Sequence, residues 1–325
     1  MAAMNLARLR VFEAVARLGT FAGAAEALSF TPSAISQQMG RLEAEVGAVL
    51  VERTSRGVKL TPAGRVLLAR AERILREVRD AEAELESLAG VQSGMLRMGS
   101  FPTATQSFTA RALRSYRSRY LGVQVHLSDG EPHELAKSLA ERDLDLAVVF
   151  AWPGREIGLD YRQRLVVADD RIETTPLFDD PYVVVVPHRH RLAGSPAIEI
   201  GELADEFIVG SRFTPGLDQV IARFAGRTGA PVFTGHALPD YQSVRALAAA
   251  GDGIGVIPRL ATLTDFPGTV TIPFAEQAPY RSVLIAEPDG AVRSAAAAAM
   301  IALLEELAGD LGLDRPDELV GDAAA

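Results

Sequence analysis

The chain has 325 residues, 48% of them hydrophobic, a formal net charge of −9 and no cysteine. At about 150 residues per domain this length predicts two or three domains, and the absence of thiols excludes disulfides and thiolate metal sites. The longest apolar run, Ala295–Leu304, is ten residues and too short to span a bilayer. Glu13 and Arg17 interrupt the N-terminal stretch where a signal peptide would be apolar, so a soluble cytoplasmic protein is expected. The acidic balance argues against a nucleic-acid coat protein but leaves room for a small DNA-binding module. Residues 1–90 carry a net +1 and the remainder −10, and Arg53, Arg56 and Lys59 form a basic segment free of acids.

Three short helices are predicted first. Leu6, Leu9, Phe12, Val15 and Ala16 recur at helical spacing up to Gly19, and Thr20 is placed to cap an Ala-rich helix ending at Leu28. Thr31 and Pro32 then open a helix that runs to Val46 and stops at Gly47. Its apolar residues Ala34, Ile35, Met39, Leu42 and Val46 face one way, and Ser33, Ser36, Gln37 and Gln38 another. Leu50–Arg53 and Val58–Leu60 read as a hairpin turning at Gly57.

Thr61-Pro62 starts a long helix to about Ala89. Leu67, Ala71, Ile74, Val78, Ala81, Leu85 and Leu88 alternate at spacings of four and three, a heptad seam flanked by charges. The seam predicts a helix that pairs with a second copy; the alternative is a helix docked on its own domain.

From Gly94 the pattern becomes alternating strands and helices. Strands are expected at Met95–Gly99, Val123–Leu127 and Asp145–Phe150, with helices at Gln106–Tyr120 and Glu131–Arg142 between them. A second set follows: strands Tyr182–Val186, Phe207–Gly210, Val232–Thr234 and Ile254–Ile257, with helices near Leu217–Thr228 and at Asp240–Ala250. Strands Thr269–Ile272 and Ser282–Ala286 and a helix Ser294–Leu311 complete two α/β lobes, the last elements returning to the first lobe. The acidic tail from Asp314 is expected to fray.

A second helix in a helix-turn-helix presents its N-terminal side chains to base edges. Pro32, Ser33, Ser36 and Gln37 would supply them here, Gln pairing with adenine, while Arg53, Arg56 and Lys59 would meet phosphates or the minor groove. A solvated polar face is the alternative reading; the basic hairpin and paired helix that follow it favour DNA.

The run from Phe12-Glu13-Ala14-Val15-Ala16 through Thr20-Phe21-Ala22-Gly23-Ala24-Ala25-Glu26-Ala27-Leu28 resembles the winged helix-turn-helix of LysR-type transcriptional regulators. The likeness continues in Pro32-Ser33-Ala34-Ile35-Ser36-Gln37-Gln38-Met39, Arg41-Leu42-Glu43, Val51-Glu52-Arg53 and Leu60-Thr61-Pro62-Ala63-Gly64, with Gln37 where many members carry Arg. It implies an α+β multi-domain protein with an N-terminal winged helix-turn-helix (1–61), a linker helix for dimerisation (62–90) and a tail (313–325). Between them (91–312) it implies a two-lobed effector domain like periplasmic binding proteins, lobe I about 91–165 and 268–312, lobe II about 166–267. It further implies homodimers or dimers of dimers at an inverted repeat in promoter DNA, modulated by a small molecule, with no cofactor.

The turn Gly99–Thr105, between a strand's carboxyl end and a helix start, favours an anion or carboxylate; in the family it resembles this turn lines the ligand cleft, which implies Ser100 and Thr103, and less strongly Thr105, as effector contacts. Across the cleft, family-like positions are held by Arg212, Thr214 and Asp240; Glu131 reads as a helix cap. Gly251-Asp252-Gly253-Ile254-Gly255 precedes a strand and therefore lacks the context of a dinucleotide loop. His188 and His190 lie among arginines without neighbouring carboxylates and read as a solvated basic loop, not a metal site. No nucleophile elbow, P-loop or metalloprotease helix is present, so an enzyme is not expected. The remaining alternatives are a two-lobed solute-binding protein and an α/β enzyme with a fused helical domain.

Overall fold

Capping side chains and left-handed glycines set the helix ends of the N-terminal unit. In the computed structural model, which describes residues 4–54, 57–89, 94–151, 172–203, 206–210, 232–233, 236, 238, 240–275 and 278–313, α1 (Leu6–Leu18) begins at Asn5, whose Oδ1 accepts from the Ala7 N–H at 2.8 Å. It ends at Gly19, φ 68°. Thr20 caps α2 (Phe21–Ala27) through the Gly23 N–H, and Thr31 caps α3 (Pro32–Val46) through the Ala34 N–H, with Pro32 in the first turn. The antiparallel hairpin β1 (Val51–Thr54) and β2 (Gly57–Leu60) follows, then α4 (Pro62–Ala89).

Phe12, Val15, Ala24, Ile35, Met39, Leu42, Leu50, Ala71 and Leu75 bury the apolar faces of these elements together. Full burial of a side chain such as Phe12 contributes about 1.5–3 kcal/mol. Backbone contacts fix the hairpin on this core. The Val58 N–H donates to the Gly19 carbonyl at 2.7 Å, and Gly57, φ 132°, has no room for a Cβ beside that same carbonyl. The Thr61 hydroxyl donates to Val49 O at 2.7 Å and accepts from the Gly64 N–H at 3.0 Å. A Cβ on Gly64 would collide with the Leu50 carbonyl. Glu43 Oε1 meanwhile accepts from the Leu50 N–H at 2.8 Å. The Thr61-Pro62-Ala63-Gly64 and Arg41-Leu42-Glu43 motifs are therefore architectural.

Residues Met1–Leu85 form this unit and Glu86–Ala325 a second one. The second is built on a mixed sheet of order β4-β3-β5-β11-β6-β9-β7-β8, with β10 on β6. Its strands are β3 (Gly94–Ser100), β4 (Val123–Asp129), β5 (Leu146–Ala151), β6 (Ile172–Pro187), β7 (Phe207–Val209), β8 (Val232–Phe233), β9 (Ile254–Pro258), β10 (Thr269–Ile272) and β11 (Tyr280–Pro288). β3 runs parallel to β4 and β5, whereas β11 is antiparallel to β5 and β6.

Helices α6 (Ala110–Arg119), α7 (Pro132–Ala140), α8 (Tyr241–Ala250) and α9 (Ala295–Gly309) cover the sheet. Phe101, Phe108, Tyr116, Val148 and Met300 form the core on one face of lobe I, and Leu135, Leu139 and Val149 on the other. In lobe II the β-pleat sends Val183 and Val185 towards α8, and Tyr182, Val184 and Val186 into the opposite core.

Two elements depart from the sequence expectation. The strand expected at Tyr182–Val186 is a sixteen-residue strand, β6, that serves both lobes: Ile172–Pro181 pairs with β11, and Tyr182–Pro187 with β9 and β10. The added part carries Pro176 and Pro181, and a register shift at Val283/Leu284 accommodates the irregularity. The helix expected from Gln106 starts earlier, as a short α5 (Pro102–Ala104) leading through a π turn (Thr105–Thr109) into α6. There Ser107 donates to the Thr103 carbonyl at 2.6 Å, competing with the regular helical ladder. The helix expected near Leu217–Thr228 and the tail lie outside the described residues.

Candidate nucleic-acid interface and interlobe cavity

On α3, Pro32, Ser33 and Gln37 are exposed and Ser36 is half-buried, while Ile35, Met39 and Leu42 on the other face anchor the helix in the core. β1 brings Arg53 back onto this helix: its Nη2 donates to Ser36 Oγ at 2.9 Å, and its guanidinium lies 4.8 Å from the Phe21 ring centroid. Lys59 is exposed on β2, in register with Glu52. Arg56 lies outside the described residues. Gln38 is drawn away from this face, accepting from Arg8 Nε at 3.2 Å, and Arg8 also pairs with Glu45. Five candidate contacts, Pro32, Ser33, Ser36, Gln37 and Arg53, thus belong to one face with the Arg53 guanidinium set into it.

The α4 seam divides. Ala71 has no exposed surface and, with Leu75, belongs to the unit's own core, against which the half-buried Leu67 packs. Ala71 is therefore not a dimer contact, because the i, i+4, i+8 stripe 67–71–75 is consumed by the helix-turn-helix beneath it. Further along, Ile74 is 37% exposed and Leu85 68%; Val78 is half-buried and Ala81 open. The Leu88 side chain lies outside the described residues.

In the second unit a cavity of about 450 Å³, counting its open mouth, is lined by Phe101, Thr103, Gln106, Glu131 and Phe150 from lobe I and Asp240, Tyr241 and Gln242 from α8. Arg281, at the start of β11, lies in its wall with 1% exposure. Its Nε and Nη2 both reach Asp180 Oδ2 at 2.9 Å, and Nη2 donates to Thr103 Oγ1 at 2.6 Å. Asp180 faces Arg281 across the β6–β11 ladder, and its Oδ1 accepts from the Leu260 N–H at 3.0 Å. The guanidinium also rests on the rings of Phe101 and Phe150, 4.8 and 4.4 Å from their centroids. Burial alone would lower the Arg281 pKa, but Asp180 and Tyr241 outweigh it and hold it above its ordinary value. Tyr241 is pushed well above the usual phenol range by burial, then by Tyr182, so it stays a neutral hydroxyl.

Thr103 and Asp240 meet at this cavity; Ser100 and Thr105 do not. Ser100 is fully buried and shares a hydrogen bond of 3.1 Å with Thr109, because the side chain after Gly99 alternates into the core. Thr105 turns to the Phe101 carbonyl and to Asp129, whose carboxyl is raised by burial and by Glu134 while that hydroxyl lowers it. Asp240 caps α8 through the Ser243 N–H at 2.8 Å. Glu131 opens α7, where its N–H donates to Glu134 Oε2 at 2.9 Å, and it also lines the cavity. Arg212 and Thr214 lie outside the described residues.

Sequence reasoning missed Arg281, Asp180 and Tyr241. Asp180 and Arg281 each fall just outside the strands read at Tyr182–Val186 and Ser282–Ala286; a charge bordering an apolar strand was the available signal. The His188–His190 loop also needs correction. His190 Nε2 lies 3.2 Å from Glu206 Oε2 and Arg191 Nε donates to Glu206 Oε1 at 2.9 Å, so the loop is ion-paired to a carboxylate distant in sequence. Gly251 (φ 87°) and Gly253 (φ 150°) form the turn between α8 and β9. No group of three or more potential metal ligands occurs among the described residues, and no described helix is long and apolar enough to cross a membrane.

Two family models match the chain: residues 6–65 match the bacterial regulatory helix-turn-helix protein of the lysR family, and residues 89–309 the LysR substrate binding domain. The RuBisCO operon transcriptional regulator of Allochromatium vinosum is 32% identical over 254 residues, 78% of this chain and 79% of that protein. The probable hydrogen peroxide-inducible genes activator of Streptomyces viridosporus is 31% identical over 316 residues, 94% of this chain and 95% of that protein. Full-length OxyR from Pseudomonas aeruginosa has the same fold, with a TM-score of 0.67 at 22% identity over 95% of each chain. The capped α3 with its wing and the two-lobed domain are those of this group: the chain belongs to the LysR family of DNA-binding transcriptional regulators.

Proposed function

We propose that this regulator binds promoter DNA as a homodimer or dimer of dimers in the cytoplasm, and that a small molecule in the interlobe cavity modulates that binding. The observation that carries the reading is the exposed face of Ser33 and Gln37 beside Ser36 and Arg53: polar side chains able to read base edges, with a cation able to reach phosphate. Ser33, Ser36 and Gln37 read bases, with Pro32 fixing the helix start. Arg53, Arg56 and Lys59 hold the backbone. Ile74, Val78, Ala81 and Leu85 supply the partner-facing stripe.

Thr103 and Asp240 supply cavity contacts, with Arg281 between the lobes. A ligand that prefers one lobe arrangement shifts the population towards it, which is how the signal would travel. This chain has no cysteine, so a signal written on a thiol has no acceptor in it, whatever the peroxide-inducible relatives do. The test is a mobility-shift titration of the full-length protein on the upstream region of its own gene. A salt-sensitive, sequence-dependent shift supports the reading, and no such shift from folded protein removes it.

A further inference from the structure

Arg53 is an exposed side chain on a short hairpin, where a long guanidinium arm ordinarily samples many rotamers. Here it is held from two sides. Its Nη2 donates to Ser36 Oγ on α3 at 2.9 Å, and its Cζ lies 4.8 Å from the ring centroid of Phe21, the first residue of α2. At that distance the ring quadrupole attracts the cation, which an aliphatic side chain of similar bulk cannot do.

The fold fixes Phe21 and brings the hairpin to it. Thr20 caps α2 immediately before Phe21, which packs half-buried against the core of the N-terminal unit. Val58 stands opposite Arg53 in the β1–β2 register, and its N–H donates to the Gly19 carbonyl at 2.7 Å. The hairpin thus has a backbone anchor two residues before Phe21 and a side-chain anchor on Phe21 itself. Leucine or methionine could cover the same core, whereas the contact with Arg53 requires a ring.

Resting on the reading of Arg53 as a phosphate contact, we propose that Phe21 is a positioning residue for DNA binding: its ring holds the Arg53 guanidinium beside Ser36 before DNA arrives. Arg53 then meets DNA with its rotamer freedom already lost on folding, so less ordering is left to oppose association. Phosphate contacts carry no sequence information, so Phe21 acts on affinity for all DNA and leaves the choice of sequence to α3.

The experiment measures fluorescence anisotropy of the full-length protein on its specific site and on scrambled DNA. The variants are Phe21→Leu, Phe21→Met, Phe21→Tyr and Arg53→Ala, with each Phe21 change also made on the Arg53→Ala background. Phe21→Leu is expected to weaken binding to both DNAs about two- to fivefold, as for loss of an exposed cation–π contact. Phe21→Met should do the same, which keeps the test in hand if one aliphatic variant folds poorly by circular dichroism. Phe21→Tyr, which keeps the ring, should bind as wild type, and no Phe21 change should matter once Arg53 is gone.

A merely structural role would give the same loss on either Arg53 background. That result, or wild-type affinity in folded Phe21→Leu or Phe21→Met, overturns the proposal while Arg53→Ala still weakens binding. The parent reading fails separately: if Arg53→Ala binds both DNAs as wild type, Arg53 is not a DNA contact and Phe21 has nothing to position.

Discussion

Arg53 in the hairpin donates to the Ser36 hydroxyl on α3 at 2.9 Å, tying the wing to the helix proposed to read DNA. From the sequence the two residues take separate roles, Ser36 reading bases and Arg53 holding phosphate. In the folded unit they share a hydrogen bond, so their substitutions should couple. Each of Ser36→Ala and Arg53→Ala should weaken specific binding by about 1–3 kcal/mol. The double variant should depart from the sum by about 0.5 kcal/mol or more. Fluorescence anisotropy on the specific site measures all three; additive losses would mean the bond does not persist on DNA.

Arg53→Ala should also lower affinity for every sequence and reduce the salt slope by about 1, whereas Ser33→Ala should leave that slope unchanged. Titrations across a range of salt concentrations separate the two classes of contact.

The division of α4 predicts contrasting outcomes for residues three apart. Ile74→Asp should leave the helix-turn-helix folded and convert a dimer into monomer, because Ile74 is partly exposed. Ala71→Asp places an unpaired charge where nothing is exposed, and should unfold the N-terminal unit. Sedimentation velocity with circular dichroism distinguishes loss of pairing from loss of fold.

Gly64→Ala should destabilise the N-terminal unit by about 1–3 kcal/mol or more, since the added methyl meets the Leu50 carbonyl. Thermal denaturation reads this directly. Ala63, the half-buried residue beside it, should accept Ser with little change.

Arg281→Met should destabilise the second unit by about 3–5 kcal/mol, since it strands a buried Asp180. Adding Asp180→Leu should restore much of that stability, because two apolar side chains leave no charge without a partner. Chemical denaturation of both variants checks the pair.

Local chemistry made the N-terminal unit legible. Thr20, Thr31, Gly19 and Gly47 announce helix ends within a few residues of themselves, and the apolar spacing of α3 selects its buried face. The same logic found α8 and α9. It failed where distant partners decide the outcome. Ala71 and Val78 occupy equivalent heptad positions, and only the docked helix-turn-helix separates them. Ser100 and Thr103 lie in one turn, yet the first alternates into the core and the second meets Arg281 across 178 residues of sequence. A strand containing Pro176 and Pro181 serves two lobes because a bulge at its own Leu177 takes up the irregularity opposite Val283 and Leu284, which no local pattern records.

The claim that α3 reads sequence is tested most directly by one ratio: the affinity for the upstream operator over that for scrambled DNA, in wild type and in Gln37→Ala, at one fixed salt concentration. The account predicts that Gln37→Ala lowers the ratio by about 1–3 kcal/mol while binding to scrambled DNA is unchanged. An unchanged ratio, or equal losses on both DNAs, would contradict it.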